Sequence, residues 1–204
     1  MFITLEGGEG AGKSTQARML VAALAAAGIP ALLTREPGGA PGAEVLRELL
    51  LSRSQQWSPR AEVFLHFAAR SEHLARTVEP GLASGQVVVC DRFADSTMAY
   101  QGYGLGADRT LIAALTALMP TTPDLTLVLR VSPAVAAARI AGRGQALDRY
   151  ESMDAAFHGR VSDGFLAIAA ADPARCIVVP ADGDAGQVHQ AIHAAVARRI
   201  PGFA

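Results

Sequence analysis

The segment from residue 7 to residue 14 constrains the fold more than any other part of the sequence. It reads Gly-Gly-Glu-Gly-Ala-Gly-Lys-Ser, which matches the pattern G-x-x-x-x-G-K-[ST]. A short apolar run, 2–6, precedes it, and a longer apolar-periodic run, 13–27, follows it and stops at Gly28. A strand, a Gly-rich turn and a helix in this order predict a phosphate-binding loop, because the glycines let backbone N–H groups surround phosphate oxygens at a helix N-terminus.

The side chains at the end of this loop predict how a nucleoside triphosphate would bind. Lys13 can reach the β- and γ-phosphates of ATP, and the Ser14 hydroxyl can ligate Mg²⁺. Lys13 is the only lysine among 18 Lys and Arg residues, which indicates a position where a compact ammonium is needed and the planar fork of arginine does not fit. The predicted ATP-binding residues of the loop are Gly7, Gly8, Glu9, Gly10, Ala11, Gly12, Lys13, Ser14 and Thr15.

The remainder of the chain alternates between short apolar runs and helical patterns. The runs predict five strands, at 2–6, 30–34, 86–90, 124–131 and 176–179. Helices are predicted at 13–27, 43–51, 59–79, 94–101, 107–118, 134–141, 153–171 and 185–199. The alternation predicts an α/β fold in which a five-stranded parallel sheet is covered by helices on both faces, as one domain over 1–204. Ligands of such folds bind at the carboxyl ends of the strands.

Composition excludes several classes of protein. The net charge is −1, so there is no basic field for nucleic acid and no polybasic patch for a membrane. Half of the residues are hydrophobic, enough for a core, yet the apolar stretches are too short for a membrane span and the first residues lack a leader pattern. We expect a cytoplasmic protein whose partners are small molecules, with Cys90 and Cys176 as free thiols.

The third predicted strand ends in Asp91 and Arg92, at the edge of the sheet where the phosphate loop lies. Asp91 is placed to hold Mg²⁺ together with Ser14, or to accept a proton from the acceptor. Arg92 can bind an acceptor phosphate in a bidentate manner. The alternative is a salt bridge at the end of a strand. We favour function, because this fold builds its sites at strand ends.

Arginines are concentrated between residues 130 and 160. They predict a mobile lid, about 141–152, that closes guanidinium groups over the transferring phosphates. The alternative is a solvated charged surface paired with nearby acidic residues. Arg143 and Arg149 flank the Gly-interrupted turn and are the strongest candidates for the lid role.

Taken together, the motifs resemble those of the bacterial thymidylate kinases. The resemblance rests on the N-terminal segment through the phosphate loop, Thr-Arg-Glu-Pro-Gly-Gly at 34–39 and Phe-Ala-Ala-Arg at 67–70. It continues with Asp-Arg-Phe-Ala-Asp-Ser-Thr-Met-Ala-Tyr-Gln-Gly at 91–102 and Leu-Asp-Arg-Tyr-Glu at 147–151. The resemblance implies Mg²⁺-dependent transfer of the ATP γ-phosphoryl group to dTMP, giving dTDP and ADP for dTTP synthesis. It also implies a homodimer.

The resemblance assigns roles residue by residue. It implies that Glu9 meets the nucleotide sugar, that Arg149 is the catalytic arginine and that Arg143 lies near adenine. Tyr100 corresponds to the residue that favours deoxyribose. The predicted catalytic residues are Glu9, Lys13, Asp91, Arg92 and Arg149, and Arg143 is added to the predicted ATP-binding residues. The implied dTMP-binding residues are Glu9, Arg35, Glu36, Pro37, His66, Phe67, Arg70, Arg92, Ser96, Thr97, Tyr100 and Gln101.

One position departs from the family pattern. The family stacks a Phe on thymine four residues before the arginine at 70, but this chain has His66 there, followed by Phe67. Helical spacing puts both rings near the face of Arg70, so either can stack on the base. Arg70 can donate to a thymine carbonyl, and Thr97 can accept from the thymine N–H.

Two other functions remain possible from the residues alone. The first is a kinase for another monophosphate, dUMP or UMP, although Tyr100 argues against a ribonucleotide. The second is a nucleotide-dependent switch or assembly protein, which would not need the Asp91–Arg92 pair or the lid arginines. A GTPase of the Asn-Lys-x-Asp type is excluded, because the single lysine lies in the phosphate loop.

Overall fold

Strands and helices alternate in the computed structural model, which describes residues 1–52, 54–142, 144 and 148–203. The strands are β1 (Phe2–Glu6), β2 (Ala31–Arg35), β3 (Val87–Asp91), β4 (Leu125–Arg130) and β5 (Cys176–Pro180). The helices are α1 (Lys13–Ala26), α2 (Pro41–Leu51), α3 (Pro59–His73), α4 (Glu79–Ala83), α5 (Ala94–Thr97), α6 (Arg109–Ala117), α7 (Pro133–Ala141), α8 (Ala155–Ala171) and α9 (Ala185–Ala197). Two π-helical segments, Leu74–Val78 and Met98–Gly104, follow α3 and α5.

The five strands form one parallel sheet in the order β2-β3-β1-β4-β5. The predicted fold class, a P-loop type sheet with helices on both faces, is confirmed. In the pairing of β1 with β3, Leu5 lies opposite Asp91, and in its pairing with β4 the same Leu5 lies opposite Leu127. The register therefore places the end of β3 beside the Gly-rich turn that follows β1.

The apolar residues of β1 alternate between two covered faces. Ile3 packs in a cluster that includes Leu20 of α1 and Ile192 of α9. Phe2 packs on the opposite face with Leu74, which follows α3. Burial on both faces explains why the central strands β1, β3 and β4 consist mostly of apolar residues, whereas the edge strands β2 and β5 are partly exposed. Among the residues that the structure describes, no helix has both the length and the apolar character needed to cross a membrane.

Two predicted helices differ in type from the observed elements. The predicted helix 59–79 is α3, a π-helical segment and then α4, which has Pro80 in its first turn. The predicted helix 94–101 is α5 followed by a π-helical segment that continues to Gly104, and the N–H of Leu105 donates to the carbonyl oxygen of Tyr100 at 2.9 Å. Hydrophobic periodicity does not distinguish a π turn from an α turn, and π segments are frequent at functional sites.

Candidate active site

The turn after β1 has a backbone that only glycine adopts easily. Gly10 and Gly12 have φ angles of 71° and 89°, in the left-handed region. A Cβ atom on Gly10 would lie 2.6 Å from the carbonyl oxygen of Ala136 in α7, so a larger residue would force the loop and α7 apart. The loop leads directly into α1 at Lys13, and its N–H groups therefore lie at a helix N-terminus, where anions are attracted.

Lys13 is held inside this loop. Its side chain is 6% exposed, and Nζ donates a hydrogen bond to the carbonyl oxygen of Gly8 at 2.7 Å. Burial lowers the pKa of Lys13 to about 8, with a further lowering by Arg92 that Glu9 and Asp91 oppose. The ammonium is thus charged at neutral pH and poorly solvated, which strengthens its attraction for a phosphate oxygen.

Ser14 and Asp91 meet where β3 ends beside the loop. The Ser14 hydroxyl donates to Oδ2 of Asp91. Oδ1 of Asp91 is buried and has no hydrogen-bond partner within the described part of the chain. A hydroxyl and a carboxylate beside a phosphate loop are oxygen ligands of the kind that Mg²⁺ prefers, and Mg²⁺ takes its other ligands from water and phosphate. The residues predicted as metal ligands therefore fit that ion.

Arg92 occupies a strained position between the two halves of the site. Its φ is 71°, and within the described ranges it is the one residue other than glycine with a positive φ. Its Nη2 lies 2.6 Å from Oε1 of Glu9, and its guanidinium lies 4.8 Å from the ring centroid of Tyr100. The Tyr100 hydroxyl also donates to Glu9, at 2.8 Å. Burial alone would lower the pKa of Arg92, but Glu9, Tyr100 and Asp91 outweigh it and raise the pKa, so the group keeps its charge.

Arg70 lies at the other end of the site with most of its donors already used. The guanidinium is stacked between Phe67 and Phe93, 4.8 and 5.1 Å from their ring centroids. It forms an ion pair with Glu36 at 2.8 Å, and its Nη2 donates to Oγ1 of Thr97 at 3.0 Å. Nη1 is buried and, among the described residues, lacks a hydrogen-bond partner. A rigidly held arginine thus has one NH2 group, Nη1, available for a ligand.

The segment predicted to cover the acceptor phosphate divides into two parts. Arg35 is half exposed and pairs with Glu44 at 3.0 Å, at the rim of the site. Glu36 is buried, and its carboxylate contacts Arg70 and Nδ1 of His73. Glu36 lines the cavity and orients Arg70 through this contact, and its direct contact with dTMP stays a prediction. Pro37 lines the site beside them.

The structure separates the two rings that the sequence left as alternatives. His66 lines the cavity, and its Nε2 lies 3.2 Å from the Tyr150 hydroxyl. Burial lowers the pKa of His66 to about 3, with further lowering by Arg70, so the ring is neutral. Phe67 packs in an apolar cluster with Ile112 and carries Arg70 on its face. The prediction that Phe67 contacts the substrate is therefore corrected, because helical geometry turns it into the core.

The predicted lid, about 141–152, stays a prediction, and several of its described residues lie at the site. Asp148, Tyr150 and Glu151 line the cavity. The guanidinium of Arg149 is paired with the buried Glu62, with its Nη2 2.7 Å from Oε2 of that residue. Arg143, which was predicted to lie near adenine, falls outside the described residues.

Most of these groups border one cavity of about 800 Å³, a size typical of small-molecule sites, whereas Gly7, Gly8, Phe67 and Arg149 do not line it. The phosphate loop and the start of α1 form one end of it. Arg70, His66 and Gln101 form the other end, and Arg92 lies between the two. The further predicted residues that line it are Glu9, Gly10, Ala11, Gly12, Lys13, Ser14, Thr15, Arg35, Glu36, Pro37, Asp91, Ser96, Thr97 and Tyr100.

Comparison with known proteins agrees with this arrangement. A family model described as thymidylate kinase matches residues 5–192. The chain belongs to the thymidylate kinase family. It is 52% identical over 204 residues to the thymidylate kinase of Gluconobacter oxydans, with 98% of this chain and 94% of the relative covered. It is 51% identical over 202 residues to that of Caulobacter vibrioides, with 98% and 97% covered.

A solved structure extends the comparison to the fold. The crystal structure of thymidylate kinase from Ehrlichia chaffeensis matches with a TM-score of 0.78 at 34% identity, over 96% of this chain and 98% of that chain. Members of the thymidylate kinase family are enzymes that phosphorylate dTMP to dTDP with ATP. The family inferred from the motifs, and with it the prediction of a nucleotide-binding transferase, is confirmed.

Sequence reasoning missed Glu6, the last residue of β1. Its buried carboxylate accepts hydrogen bonds from the Phe93 N–H at 2.8 Å and from the Ser96 hydroxyl at 2.6 Å. Burial, reinforced by Asp95, raises the pKa of Glu6 to about 7. Glu6 thus holds the turn that carries Arg92, and the Ser96 hydroxyl is already hydrogen-bonded to Glu6. A carboxylate ending an otherwise apolar strand was the available signal.

Proposed function

We propose that this chain transfers the γ-phosphoryl group of ATP to dTMP. The observation that carries the proposal is the single cavity that joins the phosphate loop to a pocket with unsatisfied polar atoms. Nη1 of Arg70 and Oε1 of Gln101 are both buried without partners among the described residues. Thymine has carbonyl acceptors and one ring N–H, so it complements one free donor and one free acceptor.

The phosphate-loop end supports the assignment of the ATP site. Lys13 would bind the β- and γ-phosphates, because its buried ammonium lies within the loop. Ser14 and Asp91 would hold Mg²⁺, which when bound neutralises charge on the phosphate oxygens. Catalysis of phosphoryl transfer depends mainly on positioning and electrostatics, and this chain supplies fixed donors and cations for both.

The acceptor phosphate would lie between the two ends of the cavity. Arg92 is charged, rigid and next to the loop, so it can bind this phosphate and hold it toward the γ-phosphoryl group. Glu9 and Tyr100 border the same space and would contact the sugar. The bulk of Tyr100 favours deoxyribose, since a 2′-hydroxyl would have to fit against a buried ring.

We propose that residues 141–152 act as a lid within a single domain. Arg149 remains our candidate for stabilising negative charge on the transferring phosphoryl group, supported by its place beside cavity-lining Tyr150. For that role its guanidinium would exchange Glu62 for phosphoryl oxygens when the lid closes. The cytoplasmic location likewise remains a prediction.

We also propose a homodimer formed through α2 and α3. Val45 and Leu49 are 60% and 39% exposed and lie four residues apart on α2, and Phe64 of α3 is 45% exposed. Exposed apolar residues on neighbouring helices are typical of an interface. Sedimentation should give twice the monomer mass, and Val45→Asp should shift it toward monomer. A wild-type protein that sediments as a monomer at micromolar concentration would contradict this proposal.

The reaction is tested by coupled ADP release with ATP and Mg²⁺. The acceptor panel is dTMP, dUMP, UMP, dCMP, AMP and GMP. We expect dTMP to have the highest kcat/KM, with dUMP next because it lacks only the methyl group, a difference of about 10–200-fold. Preference for another base, or ATP hydrolysis that no acceptor stimulates, would overturn the substrate assignment and leave the phosphate loop assignment intact.

A further inference from the structure

Glu62 is a buried carboxylate in α3 whose only role in the proposed reaction is to pair with Arg149 before the lid closes. Its side chain is fully enclosed, yet it contacts polar groups from two other segments of the chain. Oε1 accepts hydrogen bonds from the Tyr150 hydroxyl at 2.7 Å and from Nε2 of Gln101 at 2.9 Å. Oε2 lies 2.7 Å from Nη2 of Arg149, and this ion pair compensates the buried charge.

These contacts determine which way the side-chain amide of Gln101 faces. An amide has a donor end and an acceptor end, whereas an ionised carboxylate only accepts. The nitrogen of Gln101 must therefore face Glu62. The Tyr150 hydroxyl gives its proton to Glu62, so it too can only accept from Gln101, at 3.0 Å. Two acceptors thus fix the nitrogen in place.

The consequence is that the amide oxygen of Gln101 is presented as an acceptor. Gln101 lines the cavity, and its Oε1 is buried without a hydrogen-bond partner in the described part of the chain. Thymine has an N–H at ring position 3 and satisfies such an acceptor. Cytosine has an unprotonated nitrogen there, so it would leave two lone pairs facing each other in a buried site.

We propose that Glu62 is a positioning residue for base selection: it holds the Gln101 amide with its oxygen toward the base, which favours thymine over cytosine. The inference rests on the proposed function and concerns its specificity. The substitution Glu62→Gln removes the constraint, because the amide that it introduces can donate to the oxygen of Gln101. The Gln101 amide can then turn over and present its nitrogen to the base, which suits cytosine.

The test compares kcat/KM for dTMP, dUMP and dCMP in wild type and Glu62→Gln. We expect the dTMP-to-dCMP ratio to fall at least about tenfold in the variant, the scale of one buried hydrogen bond. The dTMP-to-dUMP ratio should stay within about twofold, because both bases have the same N–H. The matched control is Glu72→Gln on the same helix, a partly exposed residue paired with Arg76 and outside the cavity, which should keep both ratios.

A purely structural role predicts a different result. Looser packing would lower activity on all three acceptors together and leave the dTMP-to-dCMP ratio unchanged, which would overturn the inference. If Glu62→Gln does not fold, Tyr150→Phe provides a second test, since it removes one of the two acceptors that hold the Gln101 nitrogen. It should lower the ratio in the same direction, and an unchanged ratio would again refute the inference. A wild type without preference for dTMP would instead refute the proposed function.

Discussion

Replacement of Lys13 is the perturbation for which the structure gives the clearest magnitude. Lys13→Ala removes a buried ammonium from the phosphate loop, where Nζ lies 2.7 Å from the Gly8 carbonyl oxygen. A unit charge about 4 Å from a phosphate oxygen, at an effective dielectric constant of about 20, contributes about 4 kcal/mol. If this interaction is made in the transition state, its loss lowers kcat/KM for ATP by about a thousandfold. The fold should persist, because the removed group makes one hydrogen bond.

Lys13→Arg separates the effect of charge from that of shape. Arginine keeps the charge, but its planar fork is wider than an ammonium and the side chain at this position is 6% exposed. We expect this variant to lose at least about tenfold in kcat/KM as well. The assay is coupled ADP release with dTMP, alongside thermal unfolding to verify the fold, and Arg76→Ala at an exposed site is the control.

The pH profile provides an independent measure of the same group. The pKa of Lys13 is about 8 because burial disfavours its charged form. In the free enzyme the ammonium loses its proton above that pH, so kcat/KM for ATP should decline from about pH 8 upward. Two results together would refute the role assigned to Lys13. They are a Lys13→Ala variant that retains more than a tenth of wild-type kcat/KM, and a wild type whose kcat/KM for ATP does not decline above pH 8.

Three further predictions concern other parts of the site. Because the pKa of His66 is about 3 in the folded state, the unfolded chain takes up a proton below pH 6.5 that the folded chain does not, and stability should fall by about 2 kcal/mol from pH 6.5 to 5. In urea unfolding, the free energy of unfolding of His66→Gln should fall less over this pH range than that of the wild type. The control variant His158→Gln should show the same fall as the wild type. Asp91→Asn should raise the Mg²⁺ concentration for half-maximal activity at least about tenfold, and an unchanged Mg²⁺ titration would contradict the assignment. Arg70→Lys should raise KM for dTMP about tenfold or more while kcat changes less. A single ammonium group cannot form the ion pair with Glu36 and the hydrogen bond to Thr97 and also donate to the base.

The sequence predicted the structure best at positions where the backbone conformation or the chemistry allows few residue types. The phosphate loop could be predicted because Gly10, Gly12 and Lys13 are each the only residue type that suits its position. The five strands could be predicted because each is a short run rich in apolar residues, and the three central strands, β1, β3 and β4, are buried on both faces. Their ends could be located only to within about one residue, since hydrogen bonding rather than hydropathy determines where a strand stops.

The contacts among buried charged side chains could not be predicted in the same way. Glu36, Glu62 and Arg149 are ionisable side chains, which a sequence pattern alone interprets as exposed or substrate-facing. Their partners are supplied by elements tens of residues away, such as the 2.7 Å pair of Glu62 with Arg149. Phe67 shows a second difficulty. His66 lines the cavity and Phe67 packs in the core, although the two are adjacent in α3. Pairwise geometry of this kind requires the tertiary arrangement.

The central place of β1 in the sheet has a consequence for synthesis of the chain. β1 pairs with β3 and β4 and not with β2, so its first neighbour, β3, begins at Val87, about 80 residues after β1 ends at Glu6. At about 5–20 residues per second, a ribosome takes about 4–16 s to make that interval. During this time a largely apolar strand has both hydrogen-bonding edges unpaired, which is the condition under which nascent chains associate wrongly. The ATP site also does not exist until β3 has been made, so nucleotide cannot stabilise the early part of the nascent chain.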